Sequence, residues 1–154
     1  MKAEYINPFL ESVDQLFSNM LGSQAKRGAL GTSRGLPAGF EITALIGLSG
    51  PAKGTVALSF PTQTAAAMVG RLLGSQPVDA SETLIDGVAE LVNIIAGNAK
   101  AKLSAGLQKP IDLSLPTVIR GKNFQFQGPS QALWLDIPFV CDMGEFCVRV
   151  TFAD

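Results

Sequence analysis

Asp86 to Leu103, DGVAELVNIIAGNAKAKL, is the stretch whose reading decides the fold. Its apolar residues recur at helical spacing, so it reads as one long helix. An α-helix turns about 100° per residue, which sends Leu84, Val88, Leu91, Ile95 and Ala99 to one face. Asp86, Glu90, Asn93 and Gly97 fall on the other. Polar residues on the outer face of a surface helix are ordinary. Two of these are less so. Asn is a poor helix-interior residue because its side chain competes for the backbone, and Gly97 costs about 1 kcal/mol relative to Ala. An exposed helix face has no packing reason for a glycine. It has a binding reason, since without a Cβ a partner can approach closely.

Upstream of this helix, either Ser81 with Glu82 or Thr83 with Asp86 can cap its start, the second as a loose capping box. The helix runs to about Ala105, and Gly106 ends it. Asp79, Glu82 and Asp86 form an acidic entry that suits a helix N-terminus.

The rest of the chain falls into elements of the same kind. Tyr5 to Leu21 is an amphipathic helix, with Asn7 as N-cap, Pro8 at the first helical position and Gly22 as stop. Ser23 to Pro37 is a polar, glycine-rich loop with a short strand at its end, and it carries the small basic cluster Lys26, Arg27 and Arg34. Phe40 to Leu48 and Thr55 to Phe60 form an antiparallel hairpin. Thr62 to Leu73 is a short helix with Thr62 as N-cap. Leu113 to Leu115 and Thr117 to Arg120 are a strand pair, or one bent strand broken at Pro116. Gln131 to Cys141 and Glu145 to Phe152 are strands joined at Asp142-Met143-Gly144. In the last strand Phe146, Val148, Val150 and Phe152 share one face, with Cys147, Arg149 and Thr151 on the other.

This order repeats: helix, loop, strand, strand, short helix, then helix, loop, strand, strand. Laying FLESVDQL over VAELVNII puts Glu11 over Glu90 and Asp14 over Asn93. The expected fold class is an α+β sandwich. It has a mostly antiparallel sheet built from two pseudo-equivalent halves and two long helices on one face. The whole of 1–154 is expected to be one domain. A chain that ends on a strand is expected to leave an edge, which must be covered or paired. A symmetric homodimer follows as an expectation.

Composition narrows the chemistry. The chain is 47% hydrophobic and 16% charged, which suits a compact domain. Its apolar runs fall short of the ~20 residues of a membrane span, and MKAEYINPFL lacks the apolar core of a signal peptide. A cytoplasmic protein is expected. Twelve basic and thirteen acidic residues give a net charge of −1 with no basic run, so a nucleic-acid role lacks its electrostatic footprint. There is no histidine, which removes the Ser-His-Asp triad and every His-ligated metal site. Cys141 and Cys147 are too few for a structural zinc site and are not spaced as a redox pair. They read as buried free thiols. Trp134 reads as core or interface.

Glu90-Leu-Val-Asn93-Ile-Ile-Ala-Gly97-Asn-Ala-Lys100 resembles the ExxNxxxGxxK helix of the CheC/CheX/FliY family of response-regulator phosphatases. The single site, the chain length and the missing final helix resemble the CheX branch most. The resemblance implies removal of phosphate from phosphorylated CheY, the diffusible messenger of bacterial chemotaxis. It makes Asn93 the residue that orients the attacking water and Glu90 a salt-bridge partner for a lysine of CheY. Asp86, Gly97 and Lys100 become partner-binding positions on the same helix. It implies no cofactor of the chain's own, with magnesium supplied by the response regulator, and a homodimer sharing its sheet. Asp14, where the family has Asn, departs from the pattern. A carboxylate near a phosphate repels it and cannot donate when ionised, so the first position is expected to be inactive. Two rival readings stand beside this one: a non-catalytic binding module or flagellar-switch regulator of the same architecture, and a small dimeric sheet protein unconnected with signalling. The second leaves Gly97 and the polar face unexplained.

Overall fold

The structure is a computed structural model that describes residues 3–34, 40–79, 81–105, 110–121 and 133–152. Helix α1 spans Ala3–Leu16 and continues as a π-helical segment, Phe17–Leu21. Strands β1 (Lys26–Arg27) and β2 (Gly31–Arg34) follow, then β3 (Ile42–Ser49) and β4 (Gly54–Phe60). Helix α2 is Thr62–Leu72 and helix α3 is Ser81–Ser104. Short strands β5 (Asp112–Leu113) and β6 (Thr117–Arg120) precede β7 (Leu133–Cys141) and β8 (Gly144–Phe152).

The strands form one 8-stranded sheet in which β7, β8, β4 and β3 lie side by side. Both β1 and β2 pair with β7, and both β5 and β6 pair with β3. Every pairing is antiparallel. Each half thus sends its outer strand to the inner hairpin of the other half.

The register makes the expected repeat concrete. Arg27 pairs with Phe139 as Leu113 pairs with Leu48, and Arg34 pairs with Leu133 as Arg120 pairs with Ile42. Gly28 N–H donates to Pro138 O at 2.8 Å, and its counterpart Ser114 N–H donates to Gly47 O at 2.9 Å. Each outer strand takes one more residue than the strand it pairs with, the signature of a bulge. Asp112–Leu113 and Thr117–Arg120 are therefore one bent edge strand along β3, and Lys26–Arg27 and Gly31–Arg34 are its equivalent along β7. Two-residue strands and bulges protect a sheet edge from unwanted pairing.

The last strand, β8, is central, between β7 and β4. The expectation that the chain's end leaves an open edge is wrong, because the halves interleave instead of lying end to end. The outer strands on β7 and β3 are the edges.

The main core lies between the sheet and the helices. Leu84, Val88, Leu91, Ile95 and Ala99 of α3 are all buried there, as the periodicity requires. Burying each large aliphatic side chain contributes about 1.5–3 kcal/mol, so the apolar stripe easily outweighs the helix cost of Gly87 and Gly97, about 1 kcal/mol each. Phe146, Val148 and Val150 of β8 join this core. The opposite face of the sheet is buried as well. Trp134 packs there with Leu45 and Ala57 in a second small cluster. On the same face Thr43 and Ser59 share a 3.0 Å hydroxyl hydrogen bond, and Arg149 lies 3.5 Å from Asp136 and 5.4 Å from the Phe40 ring centroid.

Several helix starts differ from expectation. Pro8 lies inside α1, not at its first position, and Asn7 is not the cap. The helix accepts the loss of one backbone hydrogen bond at Pro8, and Ser12 Oγ donates to the Pro8 carbonyl at 2.6 Å. Thr62 is the first helical residue, not the cap of α2; its N–H donates to Glu41 Oε1 at 3.2 Å. Ser81, Thr83 and Asp86 all lie within α3, so Thr83 does not cap it. Gly106 lies outside the described residues.

Candidate functional site

The residues singled out in the sequence come together on the outward side of α3. At about 100° per residue, Asp86, Glu90, Asn93, Gly97 and Lys100 lie within roughly 80° of arc. Asp86 and Glu90 are exposed, and Asn93, Gly97 and Lys100 are half-buried. Glu90 and Asn93 are separated by about 4.5 Å along the axis. Neither side chain makes a hydrogen bond or ion pair among the described residues. A Cβ built on Gly97 meets nothing within 4 Å. The glycine therefore has no internal packing role and leaves bare backbone facing outward, one turn beyond Asn93.

Ile94, one position after Asn93, lies about 100° round the helix and flanks this face; it is half-buried, packs partly on the core, and was passed over by sequence reasoning. The other omission is Gly87. It lies in the buried flank of α3, where a Cβ would fall 2.3 Å from Val69 Cγ1 of α2.

The site is a convex helix surface, not a cavity. It offers a carboxylate, an amide, bare backbone and an ammonium group along roughly 20 Å of helix. This is the shape of a surface that meets a folded partner. Two cavities open on the other half, along α1. One of about 400 Å³ is lined by Asn7, Glu11, Asp14, Ala25 and Arg27, and an adjoining one of about 270 Å³ by Ile6, Leu30 and Leu133. Ala25 lines the larger one; its counterpart by register beside α3 is the bulkier Ile111, which is fully buried.

The first-half counterparts of the pair are also placed differently. Glu11 Oε2 is 2.6 Å from Lys102 Nζ of α3, so this carboxylate is already engaged, and Asp14 is exposed. The basic cluster lies on the β1–β2 edge, with Arg27 in the cavity wall.

No group of three or more His, Cys, Asp or Glu among the described residues is arranged to hold a metal ion. Cys141 and Cys147 are free, the first half-buried and the second buried. Burial pushes both thiols up, and for Cys147 this outweighs the opposing influence of Arg149. Protonated, enclosed thiols are poor nucleophiles. Among the described residues no helix is long and apolar enough to cross a membrane.

The molecule is thus an interleaved antiparallel sheet under a long helix that carries an outward acid–amide pair. Known proteins share both its fold and its sequence. The family model for chemotaxis phosphatase CheX matches residues 42–140. The CheY-P phosphatase CheX of Thermotoga maritima is 28% identical over 138 residues, covering 89% of this chain and 88% of its own. A CheC-like superfamily protein from Shewanella sp. PV-4 superposes with a TM-score of 0.86 at 28% identity, covering 100% of both chains. The CheX of a CheX-CheY-BeF3-Mg+2 complex from Borrelia burgdorferi gives a TM-score of 0.79 at 25% identity, covering 99% of this chain and 100% of its own. The chain belongs to the CheX family of chemotaxis phosphatases.

Proposed function

We propose that this protein hydrolyses the aspartyl phosphate of a phosphorylated CheY-type response regulator, with Asn93 as the catalytic residue and Glu90 as the docking residue. The observation that carries this reading is the pair itself: a carboxylate and an amide one turn apart, facing outward, with no internal partners, on a helix that Gly97 leaves approachable. The complex of the Borrelia burgdorferi relative with CheY supports a response regulator as the partner.

The chemistry demands little of the chain. Phosphoryl transfer is catalysed mainly by positioning and electrostatic stabilisation. An amide accepts one hydrogen bond through its oxygen and donates through its nitrogen. Asn93 reaching into the regulator's site holds a water in line with the phosphorus. The water oxygen forms the new P–O bond, and the bond to the aspartyl oxygen breaks. Carboxylate and inorganic phosphate leave, and the water's proton passes to solvent or phosphate. Glu90 pairs with a lysine of the regulator and fixes the approach. Magnesium is the regulator's, and the phosphatase supplies half of a site that its substrate protein completes. A homodimer that shares its sheet would join through an outer edge, β1–β2 or β5–β6, since β8 is central.

The test is phosphate release from a phosphorylated regulator, compared for the parent, Glu90→Ala and Asn93→Ala. The expected result is near-complete loss for Asn93→Ala and weakened binding for Glu90→Ala. Tight binding of the parent with no acceleration of release would instead make the protein a non-catalytic regulator.

A further inference from the structure

We propose that Gly87 is a positioning residue for Glu90 and Asn93, because it sets how closely α3 seats against α2. The inference rests on the reading of that pair as the reacting surface. Gly87 lies one turn before Glu90, on the buried flank of α3. A Cβ there would be 2.3 Å from Val69 Cγ1, 2.7 Å from Cγ2 and 3.0 Å from Cβ. The obstacle is thus the whole of a fully buried valine. Valine is β-branched and stiff at χ1, so it has no flexible end to swing aside.

Relief requires the two helices to move apart, and α2 is pinned. Its first N–H is held by Glu41 Oε1 at 3.2 Å. Near its other end Arg71 donates to the Leu21 carbonyl and to Asp142 Oδ2, each at 3.1 Å. Gly144, with φ of 127°, lets the β7–β8 turn press against Thr64 from below; a Cβ there would lie 2.3 Å from Thr64 Oγ1. The displacement therefore falls on α3, which is pushed away from α2 toward α1, the helix packed on its other flank. Ordinary contact begins at 3.4 Å, so the shift is on the order of 1 Å. A misplacement of about 1 Å at a reacting group can cost roughly 10²-fold in rate.

Gly70 is the internal control. A Cβ there meets Gln76 O at 2.4 Å, an equally tight contact, but with the exposed turn after α2 and not with α3. Gly70→Ala should lower the melting temperature and leave kcat unchanged.

The experiment measures kcat and KM for release of phosphate from a phosphorylated response regulator, well below each variant's Tm. Gly87→Ala is expected to lower kcat about 10- to 100-fold with a smaller change in KM. Adding Val69→Ala reopens the space and should bring kcat most of the way back. Val69→Ile presses on the same contact from the α2 side and carries the same test if Gly87→Ala fails to fold. An unchanged kcat in the folded Gly87→Ala or Val69→Ile protein overturns the inference and leaves Gly87 a packing residue. So does a kcat that stays low in the double variant. Asn93→Ala runs alongside: if it is as active as the parent, the reading of the pair fails; if it is inactive while Gly87→Ala is fully active, only the positioning role fails.

Discussion

Lys102 Nζ lies 2.6 Å from Glu11 Oε2, across the contact between α3 and α1. Glu11 is the residue that stands on α1 where Glu90 stands on α3. One half of the pseudo-symmetric molecule has its carboxylate tied down, and the other leaves it without an internal partner among the described residues. The asymmetry of the site is therefore written in two places, Asp14 for Asn93 and an ion pair on Glu11.

That ion pair is partly solvated, with side-chain exposures of 31% for Lys102 and 59% for Glu11. Pairs of this kind contribute about 0–1 kcal/mol. Lys102→Ala should lower stability by less than about 1 kcal/mol in urea unfolding and leave phosphate release unchanged. A marked loss of release in this variant would place the α1 side in the reacting surface after all.

Gly97 sets stability against function. A Cβ there meets open space, and Ala is favoured over Gly in a helix by about 1 kcal/mol. Gly97→Ala should therefore raise the urea midpoint while raising KM for the phosphorylated regulator. A stabilised variant with unchanged KM would show that close approach at Gly97 is not needed.

Asp142 ties the π-helical turn to the β7–β8 hairpin. Ser23 Oγ donates to Oδ1 at 2.6 Å and Arg71 to Oδ2 at 3.1 Å. The Ser23 hydrogen bond first, then that of Arg71, holds its carboxyl below the usual aspartate range. A lowered folded-state pKa adds stability above the unfolded value of about 3.9, and that stability is lost as pH falls through the folded value. Asp142→Asn should thus be less stable than the parent near pH 7, with the gap closing in acid. Urea unfolding at pH 7 and pH 3 checks this, and a gap that is constant with pH would contradict it.

On the sheet face away from α1, α2 and α3, Arg149 is buried beside Asp136 at 3.5 Å. Removing one partner of a buried pair typically costs about 3–5 kcal/mol, because the other charge is left in a dry site. Asp136 retains some exposure and Arg149 keeps other contacts, the Phe40 ring among them, so Asp136→Ala should cost less than that, roughly 2 kcal/mol. Unfolding in urea measures it, and a loss under about 1 kcal/mol would mean that Arg149 draws its support from elsewhere.

Much of this was legible in the sequence because the strongest signals were periodic. The stripe from Leu84 to Ala99, the alternation in Phe146 to Phe152 and the repeat of element order all depend on spacing alone. The outward-facing pair was legible for the same reason, with Gly97 as a local cost that asked for an explanation. What stayed hidden depends on residues distant in sequence. Glu41, just before β3, accepts from the first N–H of α2 across twenty-one positions of chain, so Thr62 looked like the cap. Strands β1 and β5 are two residues long and exist only because β7 and β3 offer a partner. Interleaving of the halves places β8 in the centre, which no local pattern records. The close approach of Val69 to Gly87 is likewise a contact between residues distant in sequence.

The central claim is that the Asn93 amide, not merely a polar group at that place, carries the reaction. Asn93→Asp replaces one amide nitrogen with oxygen and makes α3 match Asp14 of α1. The decisive measurement is its single-turnover rate of phosphate release from a phosphorylated response regulator, beside the parent's. The predicted result is a loss of about 10²- to 10³-fold, the scale of removing one preorganised hydrogen-bond donor, with an unchanged melting temperature. A rate within a few-fold of the parent's would contradict the account.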